Sequence, residues 1–271
     1  MQQSIIESIW SDYEMICESR PLVHNITNLV VTNFSANALL ALGASPLMSH
    51  APEELEEIIG ISNALVINIG TLDIQQIDSM KLAVGFANEK KIPIVIDPVG
   101  AGASALRTET ALALIKNAHR SIVKGNGGEI LALANQQIQS KGVDSLYDPS
   151  DAIPAAQSLI SEFDVEAIAI SGPEDVVVDA TTCTIHANGS CMMPAITGMG
   201  CILTAITGAF SAVSETPYTA ARNAVSLVSI AGEMAARKSQ GPGSFLPHFL
   251  DQLYTIKQAD LTGRLNVREA S

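Results

Sequence analysis

Residues 64–98 read ALVINIGTLDIQQIDSMKLAVGFANEKKIPIVIDP, and this stretch decides the fold. Ala64–Ile69 is a short apolar run closed by Gly70-Thr71, and Pro93–Ile96 is another, closed by Asp97-Pro98. Between them, Ile74–Lys90 carries an amphipathic pattern of helical length. Two short apolar runs around one such helix make a strand–helix–strand unit. Neither run alternates polar with apolar residues. Strands of that kind are buried on both faces, which points to a parallel sheet covered by helices.

The same grammar continues outward. Downstream, Glu109–Asn117 is expected to be a helix and Ser121–Lys124 a strand closed by Gly125-Asn126. A helix opens at Glu129–Ala134, and Val165–Ile170 is a strand closed by Ser171-Gly172. Upstream, Ser4–Glu18 has helical spacing, and Pro21 starts an extended segment through Val23. Thr32–Leu42 is a helix stopped by Gly43. Ala44–Met48 is a strand and Pro52–Ile61 a helix. After Gly172 the pattern changes. Val176–Ala180 and Cys183–Ala187 form a hairpin over Thr181-Thr182, and Thr197–Cys201 leads into a helix over Ile202–Val213. Thr219–Ala236 is a second long helix, broken at Gly241-Pro242-Gly243 before a last helix at Phe245–Leu253. The expectation is one α/β domain spanning the 271 residues, a central mostly parallel sheet with helices on both faces.

Composition narrows the function. The net charge is −13 and no Lys/Arg cluster interrupts it, which argues against nucleic-acid binding. Charged residues make up only 16% of the chain, and an oligomer interface would account for so lean a surface. The first residues lack the pattern of a signal peptide, and no apolar run reaches the ~18 residues of a membrane span. Cys17, Cys183, Cys191 and Cys201 form no C-x-x-C pair, so a reduced, cytoplasmic protein is expected.

In an open parallel sheet, ligands collect beyond the carboxyl ends of the strands. Here those ends carry Gly70-Thr71, Asp97-Pro98, Lys124-Gly125-Asn126 and Ser171-Gly172. Gly100-Ala101-Gly102-Ala103-Ser104-Ala105 fits a G-x-G-x-x-A pattern, but it lies mid-chain with no acidic strand end about 20 residues on, so a dinucleotide site is rejected. There is no G-x-x-x-x-G-K-[ST] motif either. The strongest local signal is Thr197-Gly198-Met199-Gly200-Cys201. Glycines before a helix start let backbone N–H groups converge on an anion, and the helix dipole favours negative charge there. Gly198, Met199, Gly200 and Cys201 are the expected anion hole. Cys201 lies in the first helical turn, where a thiol pKa is lowered; it is either a proton acceptor or a small buried apolar residue. Asn126-Gly127-Gly128-Glu129 is either a capping box or the place where Glu129, with the nearby Asp97, serves Mg²⁺.

Taken together, these motifs resemble hydroxyethylthiazole kinases of the ribokinase-like superfamily, over about residues 10 to 255. The resemblance rests on Pro21-Leu22-Val23-His24-Asn25-Ile26-Thr27-Asn28, Gly43–Met48, Val95–Ala101, Lys124-Gly125-Asn126 with Glu129, Thr197–Cys201, and Gly241–Phe245. It implies ATP-dependent phosphorylation of a thiazole alcohol by a homotrimer with active sites at subunit interfaces. Met48, Asn25, Val23 and Gly198 would bind the thiazole. Lys124 and Ser171 would contact ATP, with Asn126 shaping that loop. Asp97 and Glu129 would serve Mg²⁺, and Cys201 would stand where related kinases place a base. Three positions depart from the family pattern. Lys124 replaces the usual Arg, Ser171 the usual Thr, and Met199 the middle Thr of T-G-T-G-C. Three other readings stay open at this point: a dehydratase of hydrated nicotinamide nucleotides, a non-catalytic binding protein, and a kinase for the pyrimidine half of thiamine.

Overall fold

The structure is a computed structural model and describes residues 2–134 and 152–270. Five strands follow the apolar runs: β1 (Leu22–Ile26), β3 (Ala64–Asn68), β4 (Ile94–Asp97), β5 (Ser121–Asn126) and β6 (Ala167–Ser171). Edge strand β2 (Ser45–Met48) and the strands β7 (Asp175–Val178), β8 (Cys183–His186) and β9 (Val267–Glu269) complete a nine-stranded sheet. The order is β2-β1-β3-β4-β5-β6-β7-β8-β9. The first six strands in that order are parallel, and β7, β8 and β9 add antiparallel.

Eleven helices are described: α1 (Gln2–Ser19), α2 (Thr32–Leu42), α3 (Leu55–Ile61), α4 (Ile74–Lys90), α5 (Ala105–Asn117), α6 (Gly127–Ala134), α7 (Ile153–Phe163), α8 (Met199–Ser211), α9 (Pro217–Lys238), α10 (Pro242–Thr255) and α11 (Gln258–Thr262). Several start or stop for a local reason. Asp73 caps α4 by accepting from the Gln76 amide at 2.8 Å, and Ser104 caps α5 through the Arg107 amide at 3.3 Å. The Ser104 cap starts α5 four residues earlier than the sequence suggests. Gly43, with φ +103°, ends α2. The hairpin turn is tied by Asp179, which accepts from the amides of Thr181 and Thr182 at 2.7 and 2.6 Å.

Alternate residues of each strand face opposite layers. Val23, Val66, Val95, Ile122, Ala169 and Val177 pack with α1, α2, α8, α9, α10 and α11. Leu65, Ile67, Ile94, Ile96, Val123 and Ile168 pack with α3 to α7. Helix α8 lies tight on the first layer. A side chain at Gly208 would place its Cβ 2.4 Å from Val66 Cγ2 and 3.0 Å from Val23 Cγ1. Only glycine lets helix and sheet approach so closely. The other end of α8, at Gly200 and Cys201, reaches the carboxyl edge of the sheet.

Candidate functional site

On the α8 side of the sheet, β1, β3, β4, β5 and β6 turn from apolar to polar near their carboxyl ends: Asn25 on β1, Asn68 on β3, Asp97 on β4, Lys124 on β5 and Ser171 on β6. Register aligns Asn25 with Met48, Asn68 with Asp97, and Asn126 with Ser171. The N-terminus of α8 sits over this row.

Asp97 is 1% exposed. Its Oδ2 accepts from Asn68 Nδ2 at 2.8 Å and from Thr204 Oγ1 at 2.7 Å. Its Oδ1 is buried with no hydrogen-bond partner among the described residues. Burial pushes its pKa up, against the pull of Lys124 and these two hydrogen bonds. Asn68 is itself fixed, because its Oδ1 accepts from Asn28 Nδ2 at 2.7 Å and from the Gly70 amide at 3.0 Å. Asn28 also donates to Cys201 Sγ at 3.6 Å.

Glu129 is held from two sides. Its Oε1 accepts from the Gly100 amide and its Oε2 from the Asn126 amide, both at 2.8 Å. Asn126 Oδ1 in turn accepts from the Glu129 amide at 2.9 Å. This is a capping box at the start of α6. Gly100, from the loop after β4, adds a second loop to it. Burial and then the charge of Asp97 raise the Glu129 pKa to about 7. Lys124 stands between these acids, 4% exposed. Burial opposes its charge, but Asp97, Glu129, Cys201 and Asp175 outweigh that, and its pKa is raised. The ammonium lies against the backbone of Gly200, where a Cβ would come within 2.7 Å of Nζ.

Gly198, at φ +87°, is the N-cap of α8, and no side chain caps the helix. The first-turn amides of Met199, Gly200 and Cys201 therefore point out of the helix end beside Lys124. Met199 is 7% exposed and packs in the core, so its side chain leaves this opening to the backbone. At Cys201 the thiol shift runs opposite to the one expected at a helix start. Burial and then the charge of Asp97 push its thiol up to about 11, overcoming Lys124 and the donors Asn68 and Asn28. Val23 is fully buried beneath Gly208, with its side chain in the core layer under α8.

The remaining expected residues lie around the row. Met48 is half-buried on the edge strand, and Asn25 is 2% exposed with its Nδ2 donating to Val23 O at 2.9 Å and its Oδ1 without a hydrogen-bond partner among the described residues. Ser171 lies across from Asn126, with its hydroxyl 3.4 Å from Gly125 O. Sequence reasoning did not single out Asn28, Asn68, Thr204 or Asp175 as site residues. An Asn ending an apolar strand, as Asn68 does, was a usable signal. Thr204 carried none, since it is a mid-helix residue. Asp175 accepts from the Gly172 amide and from Ser229 Oγ, each at 3.0 Å, and burial raises its pKa to about 6.

Such a sheet, with an open helix end over a buried Lys and two acids, defines a ribokinase-like fold. The Staphylococcus aureus pyridoxal kinase solved with AMP-PCP and pyridoxal shares it at a TM-score of 0.66, with 16% identity over 92% of this chain and 99% of that one. The chain belongs to the hydroxyethylthiazole kinase family, whose model matches residues 14–259. A hydroxyethylthiazole kinase of Nitratidesulfovibrio vulgaris (strain Miyazaki F) is 46% identical over 96% of this chain and 97% of its own length. One from Vibrio atlanticus is 47% identical over 97% of this chain and 100% of its own. The structure of the hydroxyethylthiazole kinase protein from Pyrococcus horikoshii OT3 has a TM-score of 0.90 at 41% identity, covering 99% of this chain and 100% of that one.

Proposed function

We propose that this chain transfers the γ-phosphoryl of ATP to the hydroxyl of 4-methyl-5-(2-hydroxyethyl)thiazole, in thiamine salvage. The observation that carries this reading is the uncapped N-terminus of α8, set beside the buried Lys124 and over Asp97. Phosphoryl transfer is mostly positioning and charge stabilisation. The amides of Met199, Gly200 and Cys201 receive the negative charge on the moving phosphoryl group, and Lys124 adds a fixed cation. Lys124, Asn126 and Ser171 face the nucleotide. Met48, Asn25 and Gly198 hold the thiazole, with the half-buried Met48 as its apolar wall.

Cys201 touches the alcohol. With its thiol held at about 11, it takes the departing proton poorly at neutral pH, so orientation is its larger contribution. Mg²⁺ fits the acidic end of the site. Asp97, Glu129 and Asp175 act on the single ammonium of Lys124, the three carboxyls all have raised pKa values, and Asp97 Oδ1 has no hydrogen-bond partner among the described residues. Asp97 and Glu129 would hold the ion, directly or through its waters, since Mg²⁺ takes few carboxylates and keeps much of its hydration. When bound, it would neutralise phosphate charge.

A homotrimer with sites at its interfaces belongs to the same reading. Leu29 and Val30, 76% and 58% exposed, follow Asn28 directly and leave an apolar edge at the site. Light scattering is expected to return three times the chain mass of 28.5 kDa. The function itself is tested by incubating the purified protein with ATP, Mg²⁺ and the thiazole and weighing the product by mass spectrometry. Formation of the thiazole phosphate is expected. Binding of both substrates without turnover would overturn the reading.

A further inference from the structure

We propose that Arg107 is the positioning residue that sets Asp97 and Glu129 against each other, and so tunes the metal–phosphate end of the site. The inference rests on the reading of those two acids given above.

Arg107 lies in the first turn of α5, just after the glycine-containing loop of residues 100–104. Its guanidinium turns back to the sheet edge. Nη1 donates to Ile69 O at 2.9 Å and to Val99 O at 2.7 Å, and Nη2 donates to Gly70 O at 2.8 Å. No carboxylate pairs with it among the described residues. Its three partners are backbone carbonyls from two loops, one after β3 and one after β4.

The two carbonyls that share Nη1 belong to peptide groups whose other ends lead to the acids, one directly and one through Asn68. The Val99 carbonyl and the Gly100 amide are one planar unit. Its oxygen accepts from Arg107, and its N–H donates to Glu129 Oε1 at 2.8 Å. The Ile69 carbonyl and the Gly70 amide form a second unit. Its oxygen accepts from Arg107, and its N–H donates to Asn68 Oδ1 at 3.0 Å, while Asn68 Nδ2 holds Asp97 Oδ2 at 2.8 Å. One cation is thus connected to both carboxylates through two polarised peptide groups. Hydrogen bonds in such chains strengthen one another. The planar guanidinium fork can hold three carbonyls at fixed angles, whereas a lysine ammonium is a single point on a flexible stem.

The test uses the full chain carrying Arg107→Lys or Arg107→Ala, with Glu129→Gln beside them. Calorimetry measures the Kd of ADP with Mg²⁺ and of ADP with EDTA. Outer-shell partners of a metal site are worth about 10–100-fold in metal affinity. The Arg107 variants should bind ADP with Mg²⁺ at least about tenfold more weakly, and metal-free ADP as the unaltered chain does. The KM for the thiazole should not move. Unchanged binding with Mg²⁺ alongside a lower melting midpoint would make Arg107 merely structural and overturn the proposal. Failure of both Arg107 variants to fold would do the same. If Glu129→Gln leaves Mg²⁺-dependent binding intact, the reading of the acids fails. If Glu129→Gln weakens it and the Arg107 variants do not, only the role of Arg107 fails.

Discussion

Cys201 shows how one position takes opposite meanings from its helix and its surroundings. A helix N-terminus favours the thiolate, but a buried site beside Asp97 disfavours it more, and the thiol stays protonated near neutrality. A well-matched base is worth about 10²–10⁴ in rate. Cys201→Ser should therefore slow phosphorylation by less than about tenfold, measured by a coupled assay with the thiazole. A loss of several hundredfold would restore the base role. Asp175 is the second test at this scale. It ties the Gly172 amide, next to Ser171, and its charge supports Lys124. With its pKa raised to about 6, it is charged above that pH and neutral below. Asp175→Asn should raise the KM for ATP several-fold at pH 8. The difference from the unaltered chain should shrink as pH falls through 6, read from saturation curves at both values. Met199, the odd member of the T-G-M-G-C motif, needs no special account in the opening. Its side chain is core, which leaves only its backbone at the opening.

At the scale of elements, α8 links core and site. Gly208 seats it against Val23 and Val66, and one turn further toward its start Thr204 donates to Asp97. Gly208→Val should push the helix off the sheet. Overpacking of this kind costs about 1–3 kcal/mol, and urea denaturation would measure it. Because the same helix carries Thr204 and Cys201, kcat should fall with stability. Most elements were legible because their signals are local. The apolar runs of β3, β4 and β5 and the stop at Gly43 lie in consecutive residues. Helix α7 was also legible in principle, with Ile153, Ala156, Leu159, Ile160 and Phe163 at helical spacing and Pro154 in its first turn. Strand β9 was not. It has three residues, and its strand state comes from pairing with β8. The polar strand ends on the α8 side were visible as residues, but which of them meet depended on register.

For the whole molecule, acid stability isolates one buried group away from the site. His186 is fully buried, its Nδ1 3.0 Å from Ser226 Oγ and its Nε2 3.1 Å from Thr184 Oγ1. Burial, and then the charge of Arg222, push its pKa down to about 3. The unfolded chain takes up this proton near pH 6.5 and the folded chain does not. Stability from His186 is therefore complete above pH 6.5 and is lost as pH falls toward 3, by about 3 kcal/mol at pH 4. Urea midpoints at pH 7 and pH 4 should drop more for the unaltered chain than for His186→Gln. The buried acids Asp97, Glu129 and Asp175 act in the opposite sense, and the comparison cancels them. The sequence by itself determined the strand–helix grammar, the polar strand ends and the glycines of Thr197–Cys201, because periodicity and turn chemistry are set by neighbours along the chain. Only the tertiary structure decided that Asn28 meets Cys201 across 173 positions and Thr204 meets Asp97 across 107. It alone joined Arg107 to both acids and reversed the shift of the Cys201 thiol. Burial and charge depend on distance in space, which a row of residues does not specify.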